Sequence, residues 1–225
     1  MEQRIFFQTS LLLLLIAATI SAIPRDCTEI ESENKRAGTG LYVIQPTGSP
    51  PLVVNCIRRG NSSWTVIQRN SRLSKITWTE SWTTYKYGFG DVLGDHWLGN
   101  EYIYLLTKQK MYKLRIEIKD NKNVVKFAEY SSFYIESESS RYTIRLGPFQ
   151  GTAPDCMTNT VKNQIIDNQR FSTRDCDYDN YRISCAASRG GWWHDACGYS
   201  YLNHKYPQWN SLHVVKVSMM IQPVC

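Results

Sequence analysis

Hydrophobic and polar residues alternate most regularly over Met111–Lys119. Tyr112, Leu114, Ile116 and Ile118 fall on one side, and Lys113, Arg115, Glu117 and Lys119 on the other. Strand side chains point to opposite faces with a period of two, so this run predicts a strand with one buried face. A turn at Asp120–Lys122 leads into Asn123–Tyr130, which predicts an antiparallel hairpin. Tyr142, Ile144 and Leu146 alternate again, and near the C-terminus so do Val215, Val217, Met219 and Ile221. That last strand needs a sheet, and the strong sheet lies far upstream. The stretch 148–211 therefore reads as an insertion between strands of one sheet. It is poor in periodic pattern and rich in Gly, Asn, Asp and Cys. Long, weakly patterned insertions are where function tends to sit.

Upstream, Leu41–Pro46 and Leu52–Ile57 are β-rich runs separated by the turn-forming Pro46–Pro51. Trp64–Arg69 reads as another strand. Trp78, Trp82 and Tyr85 recur at i, i+4 and i+7, which predicts one face of a short helix. Asn100 is placed to cap a second helix, with Glu101 in its first turn and Ile103 and Leu106 on its apolar side. Tyr85–Glu101 sets Gly88, Gly90, Gly94 and Gly99 among large aromatics. Flexible linkers of that glycine density lack aromatics, so these turns are expected to be buried and fixed. The expected class is α+β, with a central twisted antiparallel sheet, short flanking helices and a loop-rich subdomain.

Met1–Ala22 reads as a secretory signal peptide: Arg4 is basic, Leu11–Ile16 is apolar, and Ser21 and Ala22 are small. Its apolar run is shorter than the ~20 residues of a membrane span, and no other stretch qualifies. The expected organisation is a signal at 1–22 and one secreted, extracellular domain at 23–225. Within that domain a hairpin subdomain covers about 23–66, a sheet about 64–147 plus 212–223, and a recognition subdomain about 148–211. Seven cysteines in a secreted chain argue for disulfides, and none has the C-x-x-C spacing of a zinc or redox site. Seven is odd. Cys225, at the last position, either joins another chain in a homo-oligomer or stays a capped or free thiol. Asn61-Ser62-Ser63 is a glycosylation sequon in a polar turn, either used or idle. The net charge of +6 is spread without a basic run, which argues against nucleic-acid binding and suits anionic surfaces.

Arg174-Asp175-Cys176-Asp177-Tyr178-Asp179-Asn180 places three carboxylates at alternate positions. That spacing suits either Ca²⁺, which takes several oxygens, or a solvated acidic turn. It is not an EF-hand, because Asn180 and Ala186 stand where such a loop needs Gly and Glu. Catalytic signatures are missing. Gly198-Tyr199-Ser200-Tyr201-Leu202 departs from a nucleophile elbow at its last position, and His96, His194, His204 and His213 form no motif. A metal explains Asp175 and Asp177 better than a catalytic pair does, so no enzyme is expected.

Several motifs carry a resemblance. Trp64-Thr65-Val66-Ile67-Gln68-Arg69, the glycine-aromatic stretch 85–101, Phe171-Ser172-Thr173-Arg174, Gly190-Gly191-Trp192-Trp193 between Cys185 and Cys197, and Leu202-Asn203 together resemble the fibrinogen C-terminal domain family. That family includes ficolins, tachylectins, angiopoietins and the fibrinogen chains. The resemblance covers nearly all of 23–225 and implies bridges Cys27–Cys56 and Cys185–Cys197. It also implies Ca²⁺ ligation by the side chains of Asp175 and Asp177 and by backbone carbonyls of Asp179 and Tyr181. Cys156 and Cys176 are then expected as a third, additional bridge behind the calcium loop. Trp192 and Trp193 are expected in the core. Family lectins bind acetyl groups beside the calcium loop. Here the aromatic position of that pocket falls on Ser188 or Arg189, the histidine position is Gly198, and a following loop shrinks to Lys205–Asn210. Ala196-Cys197 is left as a candidate cis peptide, and His194 and Tyr199 as substitute contacts. Two functions follow: lectin-like recognition of glycans or surface ligands in innate immunity, or an extracellular receptor ligand or matrix protein without glycan binding.

Overall fold

A computed structural model describes residues 22–159 and 164–224. Most of the expected signal, and Cys225, lie outside the described residues.

The first helix, α1 (Cys27–Glu33), starts at Asp26. One oxygen of this fully buried carboxylate accepts the N–H groups of Thr28 (2.9 Å) and Glu29 (3.1 Å). The other accepts the Tyr112 hydroxyl (2.7 Å) and meets the Lys110 ammonium (2.8 Å). A carboxylate at a helix start satisfies free N–H groups and suits the helix dipole. This one also ties the N-terminal helix to the sheet.

The two runs around Pro46–Pro51 form a hairpin of β1 (Gly40–Ile44) and β2 (Leu52–Arg59). A two-residue turn at Gly60 and Asn61 leads to β3 (Ser62–Asn70), and the side chain of Asn61 is exposed. Next come α2 (Trp82–Tyr87), the short strands β4 (Phe89–Gly90) and β5 (His96–Trp97), and α3 (Asn100–Thr107). The strongest alternating run becomes β6 (Tyr112–Asp120), followed by β7 (Val125–Ile135), β8 (Ile144–Leu146) and β9 (Phe149–Gly151). Helix α4 (Ala186–Arg189) and a ribbon of β10 (Ser200–Tyr201) and β11 (Gln208–Trp209) lie in the insertion. The chain returns as β12 (Val214–Pro223).

Strands pair in the order β1-β2-β3-β12-β6-β7-β8, and every pairing is antiparallel. The last strand therefore lies in the middle, with Val217 opposite both Asn70 and Ile118. Leu114, Ile116, Ile118, Val217, Met219 and Ile221 are all buried on the core face. Each such side chain contributes roughly 1.5–3 kcal/mol when buried. Among the described residues no helix is long and apolar enough to cross a membrane.

Two local expectations change. Trp78 is not on a helix face with Trp82 and Tyr85. Helix α2 begins at Trp82 behind the Ser81 cap, and Trp78 sits before it in a left-handed conformation (φ 61°). Asn100 is the first residue of α3 rather than its cap, a position held by Gly99. Its side chain instead accepts the Trp97 indole N–H (3.1 Å). A packed aromatic donor has claimed the group that the cap would have used.

The glycine-aromatic stretch folds as close turns against its own neighbours. Gly88 has φ 85°, and a Cβ there would collide with the carbonyl of Leu98. Gly38 has open space around it. Gly88→Ala is expected to lower stability by about 2 kcal/mol or more, and Gly38→Ala to leave it nearly unchanged. Urea unfolding of the two variants checks this; equal midpoints would refute it.

Candidate functional site

The insertion is fastened to the sheet by polar side chains buried at the end of β3. Gln68, Asn70 and Asn203 are fully buried. Gln68 donates to the Asn203 side-chain oxygen (3.1 Å), and Asn70 donates to the carbonyls of Leu202 (2.9 Å) and His204 (2.7 Å). Asn203 in turn donates to the Gly191 carbonyl (3.0 Å). Buried loop carbonyls need such partners, because water cannot reach them. Tyr85 makes the second joint. Its hydroxyl donates to the Trp78 carbonyl (2.6 Å) and accepts the N–H of Gly191 (3.0 Å). A side chain at Gly191 would strike the Tyr85 ring, so glycine is required by that approach. Around it, Phe171 packs at 5.2 Å from Tyr85 and 5.1 Å from Trp193, centroid to centroid. Trp192 and Trp193 are fully buried, and the Trp193 indole donates to the Tyr142 carbonyl (2.8 Å).

The acidic loop is held by an antiparallel bridge between Ser172 and Trp192 and by the Thr173–Cys176 turn. Its carboxylates do different things. Asp175 accepts the N–H of Trp82 (2.8 Å) and the Thr173 hydroxyl (2.7 Å), so it braces the start of α2. Burial opposes its ionisation, yet these hydrogen bonds hold its pKa below the usual carboxylate value. Asp179 accepts the N–H groups of Tyr181 (2.9 Å) and Cys185 (2.8 Å). Burial and the adjoining Asp177 carboxyl push its pKa up. The side chains brought together are therefore Asp177 and Asp179, while Asp175 faces the helix. Tyr181 is exposed. Among the described residues no three acidic, histidine or cysteine side chains converge on one point. Two adjoining carboxylates are a donor pair that suits a hard dication, since its charge relieves the repulsion between them.

The Cys185–Cys197 bridge closes the small loop that carries α4. Beside it lies a cavity of about 10 Å³, walled in part by Trp193, His194, Gly198 and Ser200. That is room for one water at most. His194 is buried, and its Nε2 lies 3.0 Å from the Gly190 carbonyl. Arg189 donates to the carbonyls of Cys197 and Gly198 and covers the Tyr201 ring at 4.9 Å. All peptide bonds among the described residues are trans, which corrects the expected cis bond at Ala196-Cys197. The turn is made instead by Cys197 itself, at φ 63°, followed by Gly198 at φ 42°. Tyr199 is exposed and His194 is not, so the two do not share a surface pocket.

Cys27 and Cys56 are bridged, joining α1 to β2. The expected third bridge is absent: Cys156 and Cys176 are both free. Cys156 is buried beside Asp155, and burial first, then that carboxylate, pushes its thiol up to about 12. Cys176 is tied into the Thr173 turn. Sequence reasoning missed Asp26, Gln68, Asn70 and the Tyr85 hydroxyl. Polar residues inside strand runs were the available signal for the middle two.

Tyr85→Phe leaves the Gly191 N–H and the Trp78 carbonyl without this partner. It is expected to cost about 1–3 kcal/mol, with faster amide exchange at Gly191. Unfolding midpoints and hydrogen exchange measure both. His194 gives a pH dependence. Burial, helped by Arg189 and opposed by the Gly190 carbonyl and Asp177, lowers its pKa from 6.5 to about 4. The unfolded chain thus binds the proton more tightly. This contribution is complete above about pH 6.5 and is lost as pH falls from there towards 4, to a limit of roughly 3 kcal/mol. Thermal unfolding at pH 7 and pH 5 should show the loss, and His194→Gln should flatten it.

With this geometry in hand, the likeness to known proteins is specific. The profile of the family "Fibrinogen beta and gamma chains, C-terminal globular domain" matches residues 23–220. A fibrinogen-like protein 1-like protein of Gallus gallus is 48% identical over 199 residues, covering 86% of this chain and 70% of that protein. Angiopoietin-related protein 2 of Mus musculus is 40% identical over 176 residues, 77% of this chain but only 34% of its own length. The fibrinogen-like globe domain of human ANGPTL2 superposes with a TM-score of 0.82 at 35% identity, covering 89% of this chain and 99% of that domain. The buried Gly190-Gly191-Trp192-Trp193 turn, the central C-terminal strand and these matches lead to one conclusion: the chain belongs to the fibrinogen C-terminal domain family.

Proposed function

We propose that this protein is an extracellular ligand that binds a protein partner, of the angiopoietin-like kind, through its recognition segment. The observation that carries this reading is the contrast beside the small disulfide loop. The cavity walled by Trp193 and His194 has room for one water at most, and the adjoining one of about 120 Å³ is lined mainly by polar side chains, while Tyr181, Ile183, Tyr199 and Tyr206 of the same segment are 47–61% exposed. Aromatic and large aliphatic side chains of this kind anchor protein interfaces. The identity to an angiopoietin-related protein points the same way. The expected signal and the disulfides support secretion.

Ca²⁺ would be held by Asp177 and Asp179, with backbone carbonyls completing its shell, and would supply fixed charge that orders the loop. The chain's own part is to hold those carboxylates in place through the Tyr181 and Cys185 N–H groups. A glycan at Asn61 would stand at the tip of the β2–β3 turn, away from this segment's disulfide loop.

Two measurements test this. On a panel of purified receptor ectodomains, the wild type is expected to bind a member, with Ile183→Ser and Tyr199→Ala each about tenfold weaker; an array of neutral and acetylated glycans should stay blank. Ca²⁺-dependent binding to acetylated sugars would overturn the protein-partner reading. Separately, Ca²⁺ should raise the unfolding midpoint relative to EDTA, as any native-state ligand does, and Asp177→Ala should remove that rise.

A further inference from the structure

The outer face of the sheet, opposite the core, holds a second candidate site. An open groove of about 190 Å³ crosses β2, β3, β12, β6 and the start of β7. Its floor includes Ile57, Val66 and Met220, which cluster on this face with Trp64. Four cations line it: Arg59, Arg69, Lys119 and Lys216. The period of two puts them there, because the core-facing residues Ile118 and Val217 alternate with Lys119 and Lys216.

The charges are arranged against each other. Lys216 on β12 lies directly opposite Lys119 on β6. Like charges in that position repel, whereas a fold free to choose would pair opposites. One row further, Ser218 lies between Arg69 on one side and Glu117 on the other. Among the described residues Glu117 is the single carboxylate lining the groove, and it is already bonded to Arg59 (2.9 Å) and Arg115 (3.1 Å). Asp95, at the margin, is taken by the N–H (2.7 Å) and hydroxyl (3.0 Å) of Ser71. Among the described residues Arg69, Lys119 and Lys216 have no carboxylate partner. The Nε of Arg69 is buried with no acceptor, while its Nη1 donates to the Leu93 carbonyl (2.9 Å). Burial first, and then Arg69 and Lys119, lower the pKa of Lys216, with Asp95 opposing. Crowded cations cost stability unless an anion meets them.

We infer that this groove binds a segment of a linear sulfated polysaccharide, with sulfate groups bridging Lys119 and Lys216 beside Arg69. The choice of occupant follows from density and shape. An extended acidic peptide shows one carboxylate per ~7 Å on a face, because its side chains alternate. Single-stranded nucleic acid needs aromatic stacking platforms, and among the described residues no aromatic lines the groove. A sulfated sugar carries several anions on each disaccharide, and its ring faces can lie on the half-buried Ile57 and the exposed Val125. The site goes beyond the protein-partner reading and relies on it only for the extracellular setting.

The test is calorimetry with a size-defined heparin octasaccharide at physiological salt, using the intact secreted protein. Wild type is expected to bind. The double variant Lys119→Gln/Lys216→Gln should bind about tenfold more weakly, and Lys35→Gln/Lys108→Gln, two exposed lysines elsewhere, should stay within about twofold of wild type. Removing like-charge repulsion should also leave the groove variant at least as resistant to urea as wild type, which separates lost binding from lost folding. Desulfated octasaccharide, polyglutamate and single-stranded DNA should each bind at least about tenfold more weakly than heparin. The inference is overturned by an unbound wild type, by equal affinity of the groove variant, by an equal loss in the control variant, or by equal binding of any of those three ligands. None of these results bears on the receptor panel, whose variants lie on the recognition segment.

Discussion

The hydroxyl of Tyr85 is the joint on which the 148–211 insertion turns. It belongs to a short helix on the sheet side, yet it donates to Trp78 and accepts from Gly191, far along the chain. One atom thereby fixes the spacing between a left-handed residue and a glycine that has no room for a side chain. The aromatic rings around it, Phe171 and Trp193 above all, have their positions set by that spacing. Buried polar groups are worth most when every one is satisfied, because an orphan inside a low-dielectric core is costly. Gln68, Asn70 and Asn203 complete the same scheme from β3. The segment has little regular structure, and this set of bonds takes the place that strand ladders fill elsewhere.

This fastening explains how an irregular segment presents a defined surface. The acidic loop is anchored at both ends, by the Ser172–Trp192 bridge and by the N–H of Cys185 on Asp179. Asp175 couples it to the first turn of α2. The exposed Tyr199 and Ile183 therefore project from a braced scaffold, which under the proposed protein-partner reading lowers the entropy lost on binding.

The sheet was legible in the chain because alternation is a direct imprint of a half-buried strand. Lys113 to Lys119 declared both faces, and Val217 to Ile221 declared that a distant strand had to return. The aromatic core was legible at Trp192 and Trp193, whose size beside two glycines leaves few alternatives. Other features depended on three-dimensional competition. Trp78 looked helical by spacing, but its carbonyl is needed by Tyr85, and a helix would have pointed it elsewhere. Asn100 is a good cap by composition, yet the Trp97 indole claimed it. Asp175 and Asp177 looked equivalent in an alternating acidic run, and only the position of α2 separates them. Pairing Cys156 with Cys176 rested on counting, and counting carries no geometry.

The place of β12 has a consequence for how the molecule is made. Its neighbours β3 and β6 leave the ribosome long before it does. Until it arrives they have no common partner, and each presents a line of unpaired backbone donors and acceptors. Hydrophobic strand edges left open in this way are templates for pairing with other chains. In the finished sheet this strand joins what would otherwise be two half-sheets and covers both of those edges at once.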